Sequence, residues 1–235
     1  MYGYTWDRET GGYVLQPTVS SPQLEVRPVF FEELDLLGFD RFWEYPQSKE
    51  PLLWAQGRQY FYRGELVAET IGGRLFVFPR VEIYKKPLEL KPVDVEGMIE
   101  KNQDLMDGLV KETLEKIYTI FKKYRKKSYF SYVAFSGGKD SLALLDLVQR
   151  ALSPDDFVVI FADTTMEFSE TYRAFNEARR RWPAVKFYVA RSERDARETW
   201  KIFGPPSRTL RWCRSVHKSV PSLLLLRRLV GEFST

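Results

Sequence analysis

The amino-acid sequence predicts an α/β protein with three parts: a small N-terminal region containing antiparallel β-strands, a long linking helix, and a doubly wound parallel sheet. Two observations carry this prediction. In the C-terminal half, apolar strand-like runs alternate with amphipathic helical runs, which is typical of parallel strands covered by helices on both faces. In the N-terminal part, shorter strand-like runs are separated by glycine-containing turns, which favours antiparallel pairing.

Residues 1–92 form the predicted N-terminal region, which is rich in aromatic residues, proline and glycine. Its strand-like runs lie at 60–62, 66–71 and 75–78. The triplets Arg63-Gly64-Glu65 and Gly72-Gly73-Arg74 separate these runs, so we expect a small antiparallel meander. Aromatic side chains in such a region usually form its core. We therefore do not predict nucleic-acid binding from them.

The linking helix is predicted over residues 93–127. Its apolar residues recur mostly three or four positions apart, the spacing of one helix face: Met98, Leu105, Leu109, Leu114, Ile117, Phe121 and Tyr124. The helix ends in a basic cluster at 122–127, and a later predicted helix ends in another at 179–181. Cations complement the dipole at a helix C-terminus, so both clusters are interpreted as solvated helix ends.

Residues 128–235 carry the alternating pattern and form the predicted second domain. Strands are expected at 129–135, 157–162 and 185–189, and helices at 140–152, 167–182 and 223–230. In a parallel sheet of this kind, ligands bind at the carboxyl ends of the strands. A site is therefore expected in the loops that follow the first two strands.

The composition suits an anionic ligand. Lys and Arg number 36 against 32 Asp and Glu, a net charge of +4, which permits nucleic acid without supporting it. With one cysteine, Cys213, and one histidine, His217, the chain alone forms no internal disulfide and no four-cysteine zinc or iron–sulfur site. No apolar run suits a membrane span and no signal peptide opens the sequence, so a cytoplasmic protein is expected.

A candidate phosphate site lies in the hexapeptide Ser136-Gly137-Gly138-Lys139-Asp140-Ser141, between the first strand and its helix. Backbone N–H groups converge at such a junction, and the helix dipole favours negative charge there. The glycines let a phosphate approach closely, while the lysine and the two serines add donors. Asp140 either caps the helix or helps to hold Mg²⁺.

Two other phosphate-binding loops do not fit the hexapeptide. A Walker loop needs glycine at position 133 and Ser or Thr at 140, where the chain has Val133 and Asp140. The dinucleotide fingerprint G-x-G-x-x-G is absent. A plain strand-to-helix turn that uses two glycines is the structural alternative, but it leaves the lysine, the aspartate and the two hydroxyls unexplained.

Asp163 and Thr164 follow the second apolar strand. A carboxylate at the end of a buried strand suits binding of a ribose, a base edge or Mg²⁺. Capping of the following helix is the alternative.

The segment 204–221 lacks clear periodicity and is rich in cations. Arg208, Arg211 and Lys218 suit a second anion site, and a solvated basic loop is the alternative. Cys213 is flanked by Arg211 and Arg214, whose positive charge favours a reactive thiolate. A small buried cysteine is the alternative for this residue.

These segments resemble the PP-loop ATP pyrophosphatase superfamily, whose hallmark S-G-G-x-D-S is matched in full by residues 136–141. Within that superfamily the chain is most similar to the phosphoadenosine phosphosulfate (PAPS) reductase family. Residues 159–168 with Glu170-Thr171 are similar to the family's strand ending in Asp-Thr-Gly with Glu-Thr downstream. Residues 208–218 are similar to its Arg-x-Cys-(Cys)-x-x-x-Lys pattern. The resemblance covers roughly residues 129–221, while residues 1–92 are more faintly similar to N-terminal regions of archaeal relatives.

The resemblance implies an adenine nucleotide alpha hydrolase-like fold and an adenine nucleotide ligand, either ATP or the sulfonucleotides PAPS or adenosine phosphosulfate (APS). It implies catalytic roles for Lys139, Asp140 and Cys213. It implies nucleotide binding by Ser136, Gly137, Gly138, Lys139, Asp140, Ser141, Asp163 and Thr164, and anion or substrate binding by Arg208, Arg211 and Lys218. Mg²⁺ at Asp140 and a thiol or electron-donor protein are the cofactor and partner that it implies.

Three functions stay open at this stage. The first is a sulfonucleotide reductase-like enzyme, in which a thiol from Cys213 or from a partner attacks sulfur. The second is an ATP pyrophosphatase that adenylates tRNA, DNA or a small molecule before sulfur or nitrogen insertion. The third is a nucleotide-binding module without turnover. Sulfur-related transferase or reductase chemistry is the expected function.

The sequence departs from the reductase pattern in its cysteines. It has no cysteine in a C-terminal tail and no cysteine pairs for an iron–sulfur cluster. It also ends earlier than the family's sheet usually does. These departures indicate either a segment of a longer protein or a chain without the redox step. The oligomeric state is not predicted.

Overall fold

The computed structural model describes residues 2–17, 26–74, 77–86 and 88–233. The chain divides into two compact units, residues 1–108 and 109–235. The boundary between them lies inside one long helix, Val95–Tyr124. Among the described residues, none of the helices combines the length and the apolarity that crossing a bilayer requires.

The first unit consists mainly of antiparallel strands. Strands β1 (Tyr2–Asp7) and β2 (Gly12–Pro17) form a hairpin. Later in the chain, a short helix, α1 (Phe31–Leu37), is followed by a 3-10 turn (Phe39–Arg41). The main sheet has the order β3-β5-β6-β7-β8. Its strands are β3 (Val26–Val29), β5 (Leu53–Gln56), β6 (Gln59–Tyr62), β7 (Glu65–Arg74) and β8 (Val77–Ile83). The two-residue strands β4 (Trp43–Glu44) and β9 (Leu88–Glu89) pair in parallel.

The antiparallel meander is confirmed for the runs predicted at 60–62 and 66–71, which form β6 and β7. The run predicted at 75–78 begins on residues 75–76, which lie outside the described residues, and β8 begins at Val77. The triplet Gly72-Gly73-Arg74 is not the predicted turn but the end of β7. Gly72 and Gly73 have φ values of 75° and 77°, a conformation that glycine adopts without the steric cost of a Cβ.

Aromatic side chains form much of the core of the first unit, as the sequence predicts. Trp43 and Tyr60 are each 3% exposed. The Phe39 and Trp43 rings stack with centroids 4.6 Å apart. The polar atoms of these rings are satisfied as well: Trp43 Nε1 donates to the Lys85 carbonyl, and the Tyr60 hydroxyl donates to Glu33.

Helix α2 (Val95–Tyr124) lies within residues 93–127, where the sequence predicts a long helix. Asp94 caps its start, because its Oδ1 accepts a hydrogen bond from the Gly97 N–H at 3.0 Å. No side chain of α2 is buried, although Ile117 packs against the core of the second unit. The apolar stripe is therefore only partly used in packing.

The second unit is a parallel α/β structure. Its strands lie in the order β10 (Ser131–Phe135), β11 (Phe157–Asp163) and β12 (Lys186–Arg191). Its helices are α3 (Lys139–Ala151), α4 (Ser169–Arg181), α5 (Ala196–Phe203) and α6 (Val220–Phe233). A π-helical segment, Arg214–Ser219, leads into α6. The sequence analysis predicted neither α5 nor the π-helical segment.

Two cores lie on the two faces of this sheet. On one face, Leu145 of α3 and Phe175 of α4 pack against strand residues such as Phe161. On the other face, Leu225 and Leu229 of α6 pack against the sheet. The alternation of β11 side chains between these cores explains why its sequence is apolar throughout.

Candidate functional site

The hexapeptide 136–141 lies at the carboxyl end of β10 and forms the start of α3. Ser141 ties the loop together: its Oγ donates to the Gly138 carbonyl at 2.9 Å and accepts from the Ser136 N–H at 3.2 Å. The Ser136 Oγ lies 3.2 Å from the same hydroxyl. Gly138 precedes the helix in an extended conformation (φ −85°, ψ 166°), and no side chain caps the helix. The N–H groups of the first turn therefore keep their capacity to bind an anion.

Gly137 is required at its position for two reasons. Its φ is 76°, in the left-handed region. A Cβ on this residue would lie 2.8 Å from Thr171 Cγ2 and 3.2 Å from the Thr171 carbonyl oxygen. The loop thus rests directly against the first turn of α4, where Thr171 packs against it.

Lys139 and Asp140 extend into solvent from the first turn of α3. Their side chains are 89% and 90% exposed, and Lys139 Nζ lies 2.8 Å from Asp140 Oδ1. An ion pair this exposed contributes little free energy. A phosphate bound at the loop would therefore compete easily for the ammonium group.

Asp140 is suited to provide one of the ligands of a Mg²⁺ ion. Within the ranges that the structure describes, no three His, Cys, Asp or Glu residues are grouped to hold a metal ion. Mg²⁺ in nucleotide sites is commonly held by one or two carboxylates together with phosphate oxygens and water. Asp140 supplies one accessible carboxylate, and the remaining ligands would have to come from a bound phosphate and from water.

Asp163 ends β11, next to the strand that carries the loop, and it is buried at 6% exposure. Its Oδ1 accepts from the Tyr172 hydroxyl at 2.8 Å and from the Thr165 N–H at 2.9 Å. Its Oδ2 lies 3.7 Å from Arg191 Nη1. Burial and the Asp163 carboxylate raise the pKa of Tyr172 to about 12. Asp163 does not cap α4, since Phe168 occupies the cap position and no side chain bonds there.

Two threonines shape the turn after Asp163. Thr164 Oγ1 donates to Glu167 at 2.7 Å and accepts from the Met166 N–H, so its hydroxyl is engaged within the turn. Thr165 has a φ of 62°, at the position where the family resemblance places glycine. Its Oγ1 accepts from the Ala196 N–H at 2.8 Å, which joins this turn to the start of α5.

The predicted second anion site lies on a turn and on the π-helical segment. Arg208 and Arg211 are exposed, and Arg211 Nε donates to the Arg208 carbonyl at 3.3 Å. Lys218 is exposed within the π-helical segment, which packs against β11 and β12. Cys213 is half-buried and has a free thiol. The roles of these four residues stay predictions.

His217 is a buried residue to which the sequence analysis assigned no role. Its side chain is fully buried, and Nε2 lies 2.8 Å from Thr199 Oγ1. Burial lowers the pKa of the imidazole, against an opposing effect of Asp195. The Thr199 hydroxyl also lies near the Asp195 and Ala196 carbonyls, to which it can donate, so it accepts from a neutral imidazole through Nε2–H. This contact joins the π-helical segment to α5.

The parallel sheet, the glycine-dependent loop and the buried carboxylate on the next strand define an α/β domain with a candidate ligand site at the carboxyl ends of its strands. Comparison with known families agrees with this description. Residues 131–233 match the phosphoadenosine phosphosulfate reductase domain. This part of the chain belongs to the PAPS reductase family of the PP-loop superfamily, which confirms the resemblance seen in the sequence.

Three relatives illustrate the similarity. One uncharacterised protein of Methanocaldococcus jannaschii is 38% identical over 137 residues, which cover 58% of this chain and 25% of that protein. A second from the same organism is 31% identical over 136 residues, covering 57% of this chain and 31% of that protein. The adenosine 5'-phosphosulfate reductase of Halalkalibacterium halodurans is 30% identical over 94 residues, which cover 40% of this chain and 38% of that protein. The chain therefore spans well under two thirds of the length of each relative.

Proposed function

We propose that the second unit binds an adenine sulfonucleotide, PAPS or APS, through residues 136–141 and takes part in sulfur transfer or reduction. The observation that supports this most is the placement of Gly137 and Asp163. The glycine-dependent loop and the buried carboxylate end two neighbouring parallel strands, inside the segment that matches the PAPS reductase domain. The doubly wound, adenine nucleotide alpha hydrolase-like fold is part of the same proposal.

In this proposal the hexapeptide holds a phosphate of the nucleotide. The backbone N–H groups at the start of α3 donate to it, and Lys139 adds a charged donor once it leaves Asp140. Asp163 accepts from a ribose hydroxyl or a base N–H, beside Thr164. Arg208, Arg211 and Lys218 bind the second anionic group, either the sulfate or a further phosphate. If Mg²⁺ binds at Asp140 and the phosphate oxygens, it supplies charge neutralisation there.

The chemistry in this proposal is attack of a thiolate on the sulfur of the sulfonucleotide. The S–O bond to the phosphate breaks, the nucleotide leaves with the electron pair, and the sulfonate stays on the attacking sulfur. Donors at the loop, Lys139 among them, would stabilise the charge that develops on the departing phosphate. Cys213 is the candidate thiol within this chain, and a thiol or electron-donor protein is the alternative source.

Adenylation with release of pyrophosphate is the second candidate function. The exposure of Asp140 favours it, because a 90% exposed carboxylate beside the phosphate loop suits a nucleotide with Mg²⁺. The half-burial of Cys213 favours it too, since adenylation needs no thiol from this chain. A module that binds nucleotide without turnover is the outcome if neither product forms.

Product analysis separates these functions. The purified chain would be incubated with PAPS or APS plus a dithiol or reduced thioredoxin, and separately with ATP, Mg²⁺ and candidate acceptors. Sulfite or a protein-bound sulfonate, lost in Lys139→Ala but kept in the exposed-lysine control Lys116→Ala, would support the proposal. Its loss in Cys213→Ser would assign the thiol. Pyrophosphate from ATP without sulfite would replace the proposal by adenylation.

A further inference from the structure

The end of α2 and the three residues after it carry a dense positive surface outside the candidate site. Five cations lie within six residues, and all are exposed: Lys122, Lys123, Arg125, Lys126 and Lys127. No Asp or Glu occurs in the sequence from 116 to 139. Arg125 lies 3.5 Å from Asp156, which is the nearest carboxylate described for this group of residues. This group is the α2 basic cluster, and its charge exceeds what the dipole of one helix end requires.

One exposed tyrosine lies among these cations, and one more lies on either side of them in the sequence. Tyr118, Tyr124 and Tyr129 are 48%, 47% and 69% exposed, so none of them serves the core. Lys122 Nζ lies 5.3 Å from the centroid of the Tyr118 ring, and Lys123 Nζ lies 5.4 Å from that of Tyr124. Aromatic faces among cations are the features on which single-stranded nucleic acids stack their bases.

A cleft adjoins the α2 basic cluster. It has a volume of about 220 Å³ and is lined in part by Phe121, Tyr129, Phe130, Asp155 and Asp156. This volume is below the range of roughly 300–1,000 Å³ for sites that take drug-sized ligands, so it suits a single planar ring system. The rings supply stacking surfaces, and the carboxylates accept hydrogen bonds from N–H groups of a base. This group is the aromatic cleft.

We propose that the α2 basic cluster and the aromatic cleft together bind single-stranded nucleic acid. The lysines contact backbone phosphates, and one base enters the cleft with its N–H groups facing Asp155 or Asp156. An acidic peptide would meet these carboxylates unfavourably. A membrane surface would favour a continuous apolar face of residues such as Trp, Phe and Leu over a cleft that contains two carboxylates. The cleft is the observation that takes this cluster beyond a solvated helix end.

This surface is separate from the candidate nucleotide site. The aromatic cleft is lined by Ser131 and Phe157, which begin β10 and β11, whereas the loop and Asp163 lie at the carboxyl ends of the same strands. At about 3.3 Å per residue, these strands place the two sites roughly 20 Å apart. Binding of nucleic acid therefore does not depend on the proposed function, and failure of either proposal leaves the other intact.

The test is fluorescence anisotropy with labelled 12-nucleotide single strands of mixed sequence, as RNA and as DNA, at several salt concentrations. Two variants remove three charges each: Lys123→Gln/Lys126→Gln/Lys127→Gln in the α2 basic cluster, and Arg179→Gln/Arg180→Gln/Arg181→Gln at the end of α4. The first should bind at least tenfold more weakly, with a salt slope smaller by about 2, since each phosphate contact contributes about 0.7 for a single strand. The second should bind within about twofold of the parent.

The aromatic contribution is tested separately. Tyr129→Ser should weaken binding by about fivefold or more, because stacking on one base is lost. Tyr84→Ser, at a tyrosine 46% exposed in the first unit, is the matched control and should bind like the parent. Equal weakening by the two triple variants would overturn the proposal. So would an absence of oligonucleotide binding, or equal binding of polyglutamate or anionic vesicles. The RNA and DNA arms identify which strand is preferred.

Discussion

Gly137 lies directly against Thr171: a Cβ built on residue 137 would come within 2.8 Å of Thr171 Cγ2 and within 3.4 Å of the Thr171 Cα. Gly138, the next residue, has space for a side chain, since a Cβ there would meet only Ser136 Oγ at 3.6 Å. The two adjacent glycines of the loop therefore have different physical roles. The first fits the loop against α4, and the second leaves the helix start open to a ligand.

Gly137→Ala should lower the free energy of unfolding by about 1–3 kcal/mol, because it adds a clash to a left-handed backbone conformation. Gly138→Ala should leave stability nearly unchanged while it weakens phosphate binding. Urea unfolding of the two variants, monitored by circular dichroism, compares them directly. Equal destabilisation by both substitutions would contradict the packing role assigned to Gly137.

Tyr172→Phe should weaken nucleotide binding, because the Tyr172 hydroxyl bonds to Asp163 Oδ1 and orients the carboxylate. A hydrogen bond to a charged group contributes about 1.5–3 kcal/mol, so a loss of roughly tenfold or more in affinity is expected if Asp163 contacts the ligand. Tyr188→Phe, at a half-buried tyrosine of β12, is the control. A double-mutant cycle with Asp163→Asn should show strong coupling. Independent effects of the two substitutions would rule out this positioning role.

Thr165 has a left-handed backbone conformation, and its hydroxyl accepts a hydrogen bond from α5. Thr165→Val keeps the shape but loses the hydrogen bond from the Ala196 N–H, so a loss of about 1 kcal/mol in the free energy of unfolding is expected. Thr165→Ser should retain stability, because it keeps the acceptor. Thr165→Gly should also lie close to the parent, since relief of the φ of 62° offsets the lost bond. Thermal unfolding distinguishes the three, and a Val variant as stable as the Ser variant would argue against the bond.

His217 should make the folded state less stable in mild acid. Its pKa in the folded chain is lowered from 6.5 by burial, so the unfolded chain binds a proton more readily than the folded chain does. The free energy of unfolding should therefore fall as the pH drops below 6.5, by up to about 1.4 kcal/mol per pH unit until the folded-state pKa is reached.

Because the chain has a single histidine, its imidazole signals can be followed by NMR without assignment. The folded chain should titrate below pH 6.5, and the urea-unfolded chain near 6.5. His217→Gln should remove this part of the pH dependence between pH 7.5 and 5.5. An imidazole that titrates at or above 6.5 in the folded chain would contradict the buried, neutral state.

The sequence predicted the second unit well where periodicity was strong. The apolar run of β11 predicted a buried strand, and the apolar stripe of α3 predicted an amphipathic helix. The hexapeptide predicted a strand-to-helix junction because its glycines are flanked by donors. The sequence did not predict the contacts between residues that are distant in the chain. Nothing local indicates that Thr171 lies against Gly137, that Tyr172 bonds to Asp163, or that His217 reaches Thr199, because these partners meet only when strands and helices pack.

Two elements were missed for local reasons. Helix α5 (Ala196–Phe203) is short, and its start signal was overlooked: Asp195 and Glu198 form a capping box, with the Asp195 side chain accepting from the Glu198 N–H. The π-helical segment has no period that a 3.6-residue pattern would detect. The triplet Gly72-Gly73-Arg74 was predicted to be a turn but belongs to a strand, because glycines within a strand resemble a turn in sequence.

Calorimetric titration with PAPS, with its desulfated product and with ATP plus Mg²⁺ tests the central claim most directly. The comparison uses the parent chain, Lys139→Ala and the control Lys116→Ala. The account predicts that PAPS or its product binds more tightly than ATP, and that Lys139→Ala weakens binding by roughly tenfold or more through loss of a charged donor, while Lys116→Ala has no effect. Binding of none of these nucleotides, or equal binding by Lys139→Ala and the parent, would contradict it.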